Sequence, residues 1–226
     1  MRRVESLLHV RARKKFSHLP EPRRATCHPG TPRASVFAEK AARFAVYVPP
    51  FDLPLDEIRR ELDGLRGPLR IAIQRSKNPF NVGAIIRVAH SFLVREIMLI
   101  GEEPYYTRAS MGMEKCENII SLPDEAAFVA KVRTEQLRVV AIEKDHPQVQ
   151  GLWDYEFPEE RCVLVFGSEN AGVSDEIMQI AEAVVAIPMF GINHSYPVSV
   201  AAGITMAEWA RRYYGAGRLV TVPRAP

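Results

Sequence analysis

Leu164–Arg211 reads LVFGSENAGVSDEIMQIAEAVVAIPMFGINHSYPVSVAAGITMAEWAR. It holds most of one short apolar run, Cys162–Phe166, and all of a second, Ala183–Ile187; each leads through a polar or glycine-bearing loop into a helical pattern. Open α/β sheets place their ligands at strand ends of this kind. The stretch therefore predicts a fold class and the position of a site together.

Working outward, the same rhythm extends towards the N-terminus as far as Leu69. Strands are expected at Leu69–Gln74, Glu96–Ile100, Asn118–Leu122 and Leu137–Ile142, with the two already named. Helices are expected at Asn81–Phe92, Thr107–Lys115, Asp124–Val132, Ser174–Ala181 and Val198–Tyr214. Continuous apolar strands alternating with helices predict a mostly parallel sheet covered on both faces. Upstream, Ile58, Leu62 and Leu65 recur at helical spacing and stop at Gly67-Pro68.

The first fifty residues differ in kind. Prolines at 20, 22, 29, 32, 49 and 50 leave room only for short helices around Val4–Lys15 and Ser35–Phe44. This segment carries eleven Lys/Arg against three acids, a surplus of eight, whereas the whole chain has a net charge of only +3. The division expected is a basic N-terminal extension, 1–50, and a globular domain, 51–226. A basic arm on a mildly acidic body fits a polyanionic partner such as RNA, and equally a solvated leader that binds nothing.

Cys27, Cys116 and Cys162 form no C-x-x-C pair, so neither a disulfide framework nor a metal site is indicated. A reducing compartment, the cytoplasm, is the simplest reading. The start MRRVESLLHVRARKK has no apolar core of signal-peptide length, although its Arg-rich composition also fits an organellar transit peptide. The longest uncharged apolar run, Ala183–Ile192, is far short of the ~20 residues of a membrane span.

Three segments carry chemistry. In SKNPFNVGAIIRVAHSF, 76–92, Val82, Ile85, Ile86, Ala89 and Phe92 form an apolar stripe with Gly83 and Arg87 opposite it. Asn81 suits the cap position. A helical glycine costs about 1 kcal/mol relative to alanine, so Gly83 is expected to make room for something lying close. A capped helix with an exposed arginine is the plainer account. In VLVFGSENAGVS, 163–174, a strand runs into a loop with free backbone N–H groups beside a helix start, and Glu169 is placed either to hold a polar group or to pair on the surface. Neither G-x-G-x-x-G nor a P-loop is present, which disfavours a nicotinamide-dependent enzyme and a nucleoside triphosphate. In the third segment Pro188 halts a strand, an irregular loop runs to Ser195, and a helix with small residues at 201–203 follows.

Taken in order, NVGAIIR (81–87), GSENAG (167–172) and IPM…SYPVSVA (187–201) resemble the SpoU (TrmH-like) branch of the SPOUT methyltransferases. The likeness covers about Leu69 to Tyr214 and omits the basic arm. It implies an α/β fold with a C-terminal trefoil knot, S-adenosyl-L-methionine as cofactor, no metal, a homodimer, and methylation of a ribose 2′-hydroxyl in tRNA or rRNA. Carried over by position, Asn81 and Arg87 would act on the ribose and its phosphate, with Glu169 and Ser195 in the same cleft. Ile142, Gly167, Ile187, Met189 and Tyr196 would hold the cofactor. Trp209 and the small-residue face are open to two readings, dimer contact or core packing. One departure stands out: the family's S-L-N is Ser195-Tyr196-Pro197 here, which removes an amide, and Asn193 on the same loop is the candidate to replace it. That departure keeps two alternatives in view, a knotted base methyltransferase and a catalytically impaired RNA-binding or assembly factor.

Overall fold

A computed structural model of the chain describes residues 53–75, 78–169 and 171–214. The short helices expected near Val4–Lys15 and Ser35–Phe44, and the basic extension with them, lie outside these residues.

The elements run α1 (Leu55–Leu65), β1 (Arg70–Gln74), α2 (Pro79–Ser91), β2 (Glu96–Ile100), β3 (Ile119–Leu122), α3 (Glu125–Glu135), β4 (Arg138–Ile142), β5 (Val149–Gly151), β6 (Cys162–Phe166), α4 (Asp175–Met178), β7 (Ala183–Ala186) and α5 (Val198–Tyr213). The strands form one seven-stranded sheet in the order β3-β2-β1-β6-β4-β7-β5. Every described pairing in it is parallel.

Alternation along the strands divides the core in two. Ile71, Ile73, Leu164, Phe166, Val140 and Val185 face α2 and α5, meeting Val82, Ile85, Ile86, Ala202, Met206 and Trp209. Their neighbours Ala72, Met98, Val139, Ala141, Val163 and Val165 face the other way, against Phe128 and Val132 of α3 and Ile177 of α4. Both sheet faces are covered, which is why the strands read as unbroken apolar runs instead of an alternation.

Trp209 is completely buried, and its Nε1 donates to the Pro158 carbonyl at 3.0 Å. Core packing is therefore what it does, and a Trp209 dimer contact is excluded. The close approach of α5 to α2 does not require the glycine at 203, since an added Cβ would stand at an ordinary 3.7 Å from Val88 Cγ1. At the far end of α5, Glu208 holds Arg212 at 2.8 Å, and Arg212 donates to the carbonyls of Leu152, Trp153 and Tyr155. α1 is anchored in a similar way. The buried Arg66 side chain bonds Glu117 at 2.6 Å and the Cys116 carbonyl at 2.6 Å, and Glu117 also meets His90 Nδ1 at 2.6 Å. Burying these charges is tolerable only because each is paired.

Four expectations need correction. Thr107–Lys115 is two 3-10 turns, Thr107–Ser110 and Met113–Lys115, because Met111 (φ 55°) and Gly112 (φ 88°) are both left-handed and interrupt any continuous helix. The helix expected over Ser174–Ala181 is the single turn of α4. β5 was not foreseen, since Val-Gln-Gly has neither the length nor the apolar content of a strand. The cap of α2 is Asn78 and not Asn81, because Pro79 takes the first helical position, where its missing N–H costs nothing.

Candidate functional site

Because the sheet is parallel, the carboxyl ends of β4, β6 and β7 open on the same side. Their loops and the start of α5 enclose a cleft of about 1010 Å³. Ile142, Gly167, Ile187, Met189 and Tyr196 all line it, as do Glu169 and Ser195. These residues come from three stretches of chain: the strand-end rule had linked the two later ones, and Ile142 had joined them only by resemblance.

The loop after β6 is closed tightly. Ser168 and Gly172 exchange backbone hydrogen bonds of 3.0 Å in both directions, and Ala171 N donates to Ser168 Oγ at 3.2 Å. Gly167 is where the loop folds back: a Cβ there would stand 2.1 Å from the Gly172 carbonyl carbon. Gly172 has φ +68°, a conformation that favours glycine. Two residues not foreseen hold this loop. Glu143, just past β4, accepts from Val173 N at 3.3 Å and Lys144 N at 2.8 Å and also lines the cleft. Gln74 accepts from Ser174 N at 2.9 Å and donates to Glu125 at 2.7 Å. The signal for Gln74 was a polar residue ending an otherwise apolar strand; Glu143, one position beyond another such strand, gave the same one.

Opposite, Tyr196 donates through its hydroxyl to the Pro188 carbonyl at 3.3 Å, closing the loop between β7 and α5. Pro197 is the N-cap of α5, with φ −53° and no side-chain cap. Asn193 turns its amide to the Ser195 carbonyl at 3.5 Å and does not line the cleft.

The N-terminus of α2 joins the cleft through a strut. Asn78 Oδ1 accepts from Phe80 N at 3.2 Å, and Asn78 Nδ2 donates to Glu169 Oε1 at 3.0 Å. Glu169 therefore ties α2 to the loop after β6 rather than standing alone on the surface. Asn81 and Arg87 are not part of the cleft wall: Asn81 is half-buried within α2, and Arg87 is exposed about 9 Å further along it. Gly83 is buried where the 107–110 turn crosses the helix. A Cβ would lie 2.7 Å from the Tyr106 carbonyl and 2.8 Å from Ala109 Cβ.

Three comparisons bear on this arrangement. Residues 68–207, which include every lining residue of the cleft, match the SpoU rRNA Methylase family. The chain belongs to that family. A tRNA (guanosine(18)-2′-O)-methyltransferase of Thermus thermophilus is 30% identical over 154 residues, 66% of this chain and 77% of the relative. Among solved structures, a TrmH/SpoU tRNA modifying enzyme of A. aeolicus aligns with TM-score 0.63 at 25% identity, over 74% of this chain and 88% of that one. An AdoMet-bound rRNA methyltransferase from Sinorhizobium meliloti aligns with TM-score 0.60 at 28% identity, over 67% of this chain and 60% of that one.

The SpoU cleft has the donor set of a site for an organic cation with an aromatic part. Ile142, Val185, Ile187, Met189 and Ala201 give it apolar walls, and Glu143, Glu169 and Asp175 bring carboxylates to the same space. Among the described residues no cluster of His, Cys, Asp and Glu suits a metal ion. No described helix is long and apolar enough to cross a membrane.

Proposed function

We propose that this SpoU chain methylates a ribose 2′-hydroxyl in tRNA or rRNA, with S-adenosyl-L-methionine in the cleft. The observation that carries the reading is the convergence of the β4, β6 and β7 loops and the α5 start into one cleft lined by the residues expected to hold the cofactor. The named relative and the AdoMet-bound neighbour support it. The apolar walls fit an adenine and the carboxylates fit the cationic end. When bound, the cofactor supplies an electrophilic methyl group whose departure leaves a neutral sulfur, so no general acid is needed.

The work left to the chain is positioning and charge stabilisation. Backbone groups of Gly167 and Ile187 and the ring of Tyr196 shape the cofactor seat, with Ile142 and Met189 as apolar walls. Glu169 and Ser195 border the place where the ribose enters, with Asn81 one turn inside α2. Arg87 grips the neighbouring phosphate and stabilises the emerging alkoxide. A guanidinium keeps its proton in proteins, so the proton leaves to phosphate oxygen or water.

The reading includes a C-terminal trefoil knot, a homodimer and a cytoplasmic enzyme. RNA lying across a dimer accommodates the position of Arg87 outside its own cleft wall. The basic segment 1–50 supplies salt-sensitive RNA affinity to the domain at 51–226.

Incubation with tritiated S-adenosylmethionine and RNA from cells lacking the gene, followed by digestion to nucleosides, tests the reaction. Label is expected on the sugar. Label on a base establishes the base methyltransferase alternative, and cofactor binding without transfer establishes an impaired RNA-binding factor. Arg87→Lys keeps the charge and loses the bidentate fork. Turnover is expected to fall at least about 100-fold with cofactor affinity unchanged; near-normal turnover removes Arg87 from the role.

A further inference from the structure

We propose that Phe80 and Tyr106 form a platform on which the base of the target nucleotide stacks; the proposal rests on the reading of this chain as an RNA ribose methyltransferase. Both rings face solvent, Phe80 at 57% and Tyr106 at 39% exposure, with centroids 4.8 Å apart and planes tilted by 48°. Their meeting is built into the backbone. Tyr106 N donates to the Pro79 carbonyl at 2.9 Å, and Asn78 fixes Phe80 N at 3.2 Å. Gly83 supplies the clearance: any side chain there would collide with the Tyr106 carbonyl at 2.7 Å. A costly helical glycine thus brings Tyr106 beside Phe80, yet the pair it creates stays largely outside the core.

The position indicates what the rings meet. Phe80 precedes Asn81, and Asn78, two residues before Phe80, is tied to the cleft residue Glu169 at 3.0 Å. Arg108, two positions after Tyr106, is exposed in the turn that follows it and puts a cation on the same segment. Sequence-specific RNA recognition targets splayed single-stranded bases that stack on aromatic rings next to phosphate-binding cations. A base resting on Phe80 would leave its ribose near Asn81 and Glu169.

Phe80→Leu keeps apolar bulk and removes the π-face, while Phe80→Trp keeps the face. Three measurements separate the explanations: filter binding of total RNA from cells lacking the gene, KM for methyl transfer to that RNA, and calorimetric titration with S-adenosylmethionine. Phe80→Leu is expected to weaken RNA binding and raise KM about 5- to 150-fold, the range of a lost base stack. Phe80→Trp is expected within about threefold of wild type, with cofactor affinity unchanged in both. Tyr106→Leu should act in the same direction. Wild-type affinity in Phe80→Leu overturns the platform. So does a shift in sedimentation velocity on that substitution, which would make the pair a contact between copies of the chain. A wild-type protein that binds RNA but transfers no methyl group refutes the reaction; the Leu and Trp comparison of RNA binding still decides the platform.

Discussion

Replacing Gly167 with alanine tests the cleft most directly. The new Cβ would stand 2.1, 2.2 and 2.3 Å from Gly172 C, Gly172 O and Val173 N, all backbone atoms. Ordinary contact begins at 3.4 Å, so the 172–173 backbone must retreat by about 1.3 Å, a gap no rotamer change can supply. That retreat disrupts the two 3.0 Å hydrogen bonds between Ser168 and Gly172 and disturbs the 2.9 Å bond from Ser174 N to Gln74. At about 1 kcal/mol net for each bond, the original loop becomes unfavourable by roughly 2–3 kcal/mol. If the cofactor needs that loop, its apparent affinity falls about 30- to 150-fold, because only the competent fraction binds. Calorimetric titration of S-adenosylmethionine into wild type and variant measures this, with circular dichroism to confirm retained secondary structure. Binding within about threefold of wild type would refute the assignment of this loop to the cofactor.

Three further outcomes follow from the same packing. Gly64→Ala in α1 meets no atom within 4 Å and should stabilise the chain by about 0.5–1 kcal/mol in urea unfolding, the opposite sign to Gly167→Ala. Trp209→Ala empties a fully buried site and leaves the Pro158 carbonyl without its donor, so a loss of about 3–5 kcal/mol is expected in the same assay. Arg211 and Arg212 hold the Glu208 carboxyl down at about 2 against an ordinary 4.5. A depressed folded-state value gives stability that is present above about pH 4.5 and lost as pH falls through about 2; after solvent screening it amounts to about 1 kcal/mol. Glu208→Gln should flatten that part of an acid unfolding curve.

The parallel sheet was legible because strands buried on both faces are apolar runs, and the bounds expected for β2 and β6 match the observed ones to the residue. Less was legible where backbone conformation outweighs pattern. Asn78 and Asn81 are both good caps, and Pro79 decides between them. Nothing periodic marks the left-handed pair Met111-Gly112 that divides the 107–115 segment. The motifs pointed to residues that line one cleft, whereas Glu143 and Gln74 act through bonds to residues 30 and 100 positions away. Spacing places Asn81 and Arg87 on one helix but cannot say that they stand outside the cleft wall.

The strut from Asn78 to Glu169 spans 91 positions of sequence and connects a helix start to a loop that borders the cleft proposed for the cofactor. Whatever displaces Glu169 as the seat fills is felt at the helix carrying Asn81 and Arg87. By thermodynamic reciprocity, whatever reorients that helix as RNA arrives changes the hold on the small molecule by the same factor. The order in which the two ligands load is then a property that a single side-chain amide can tune.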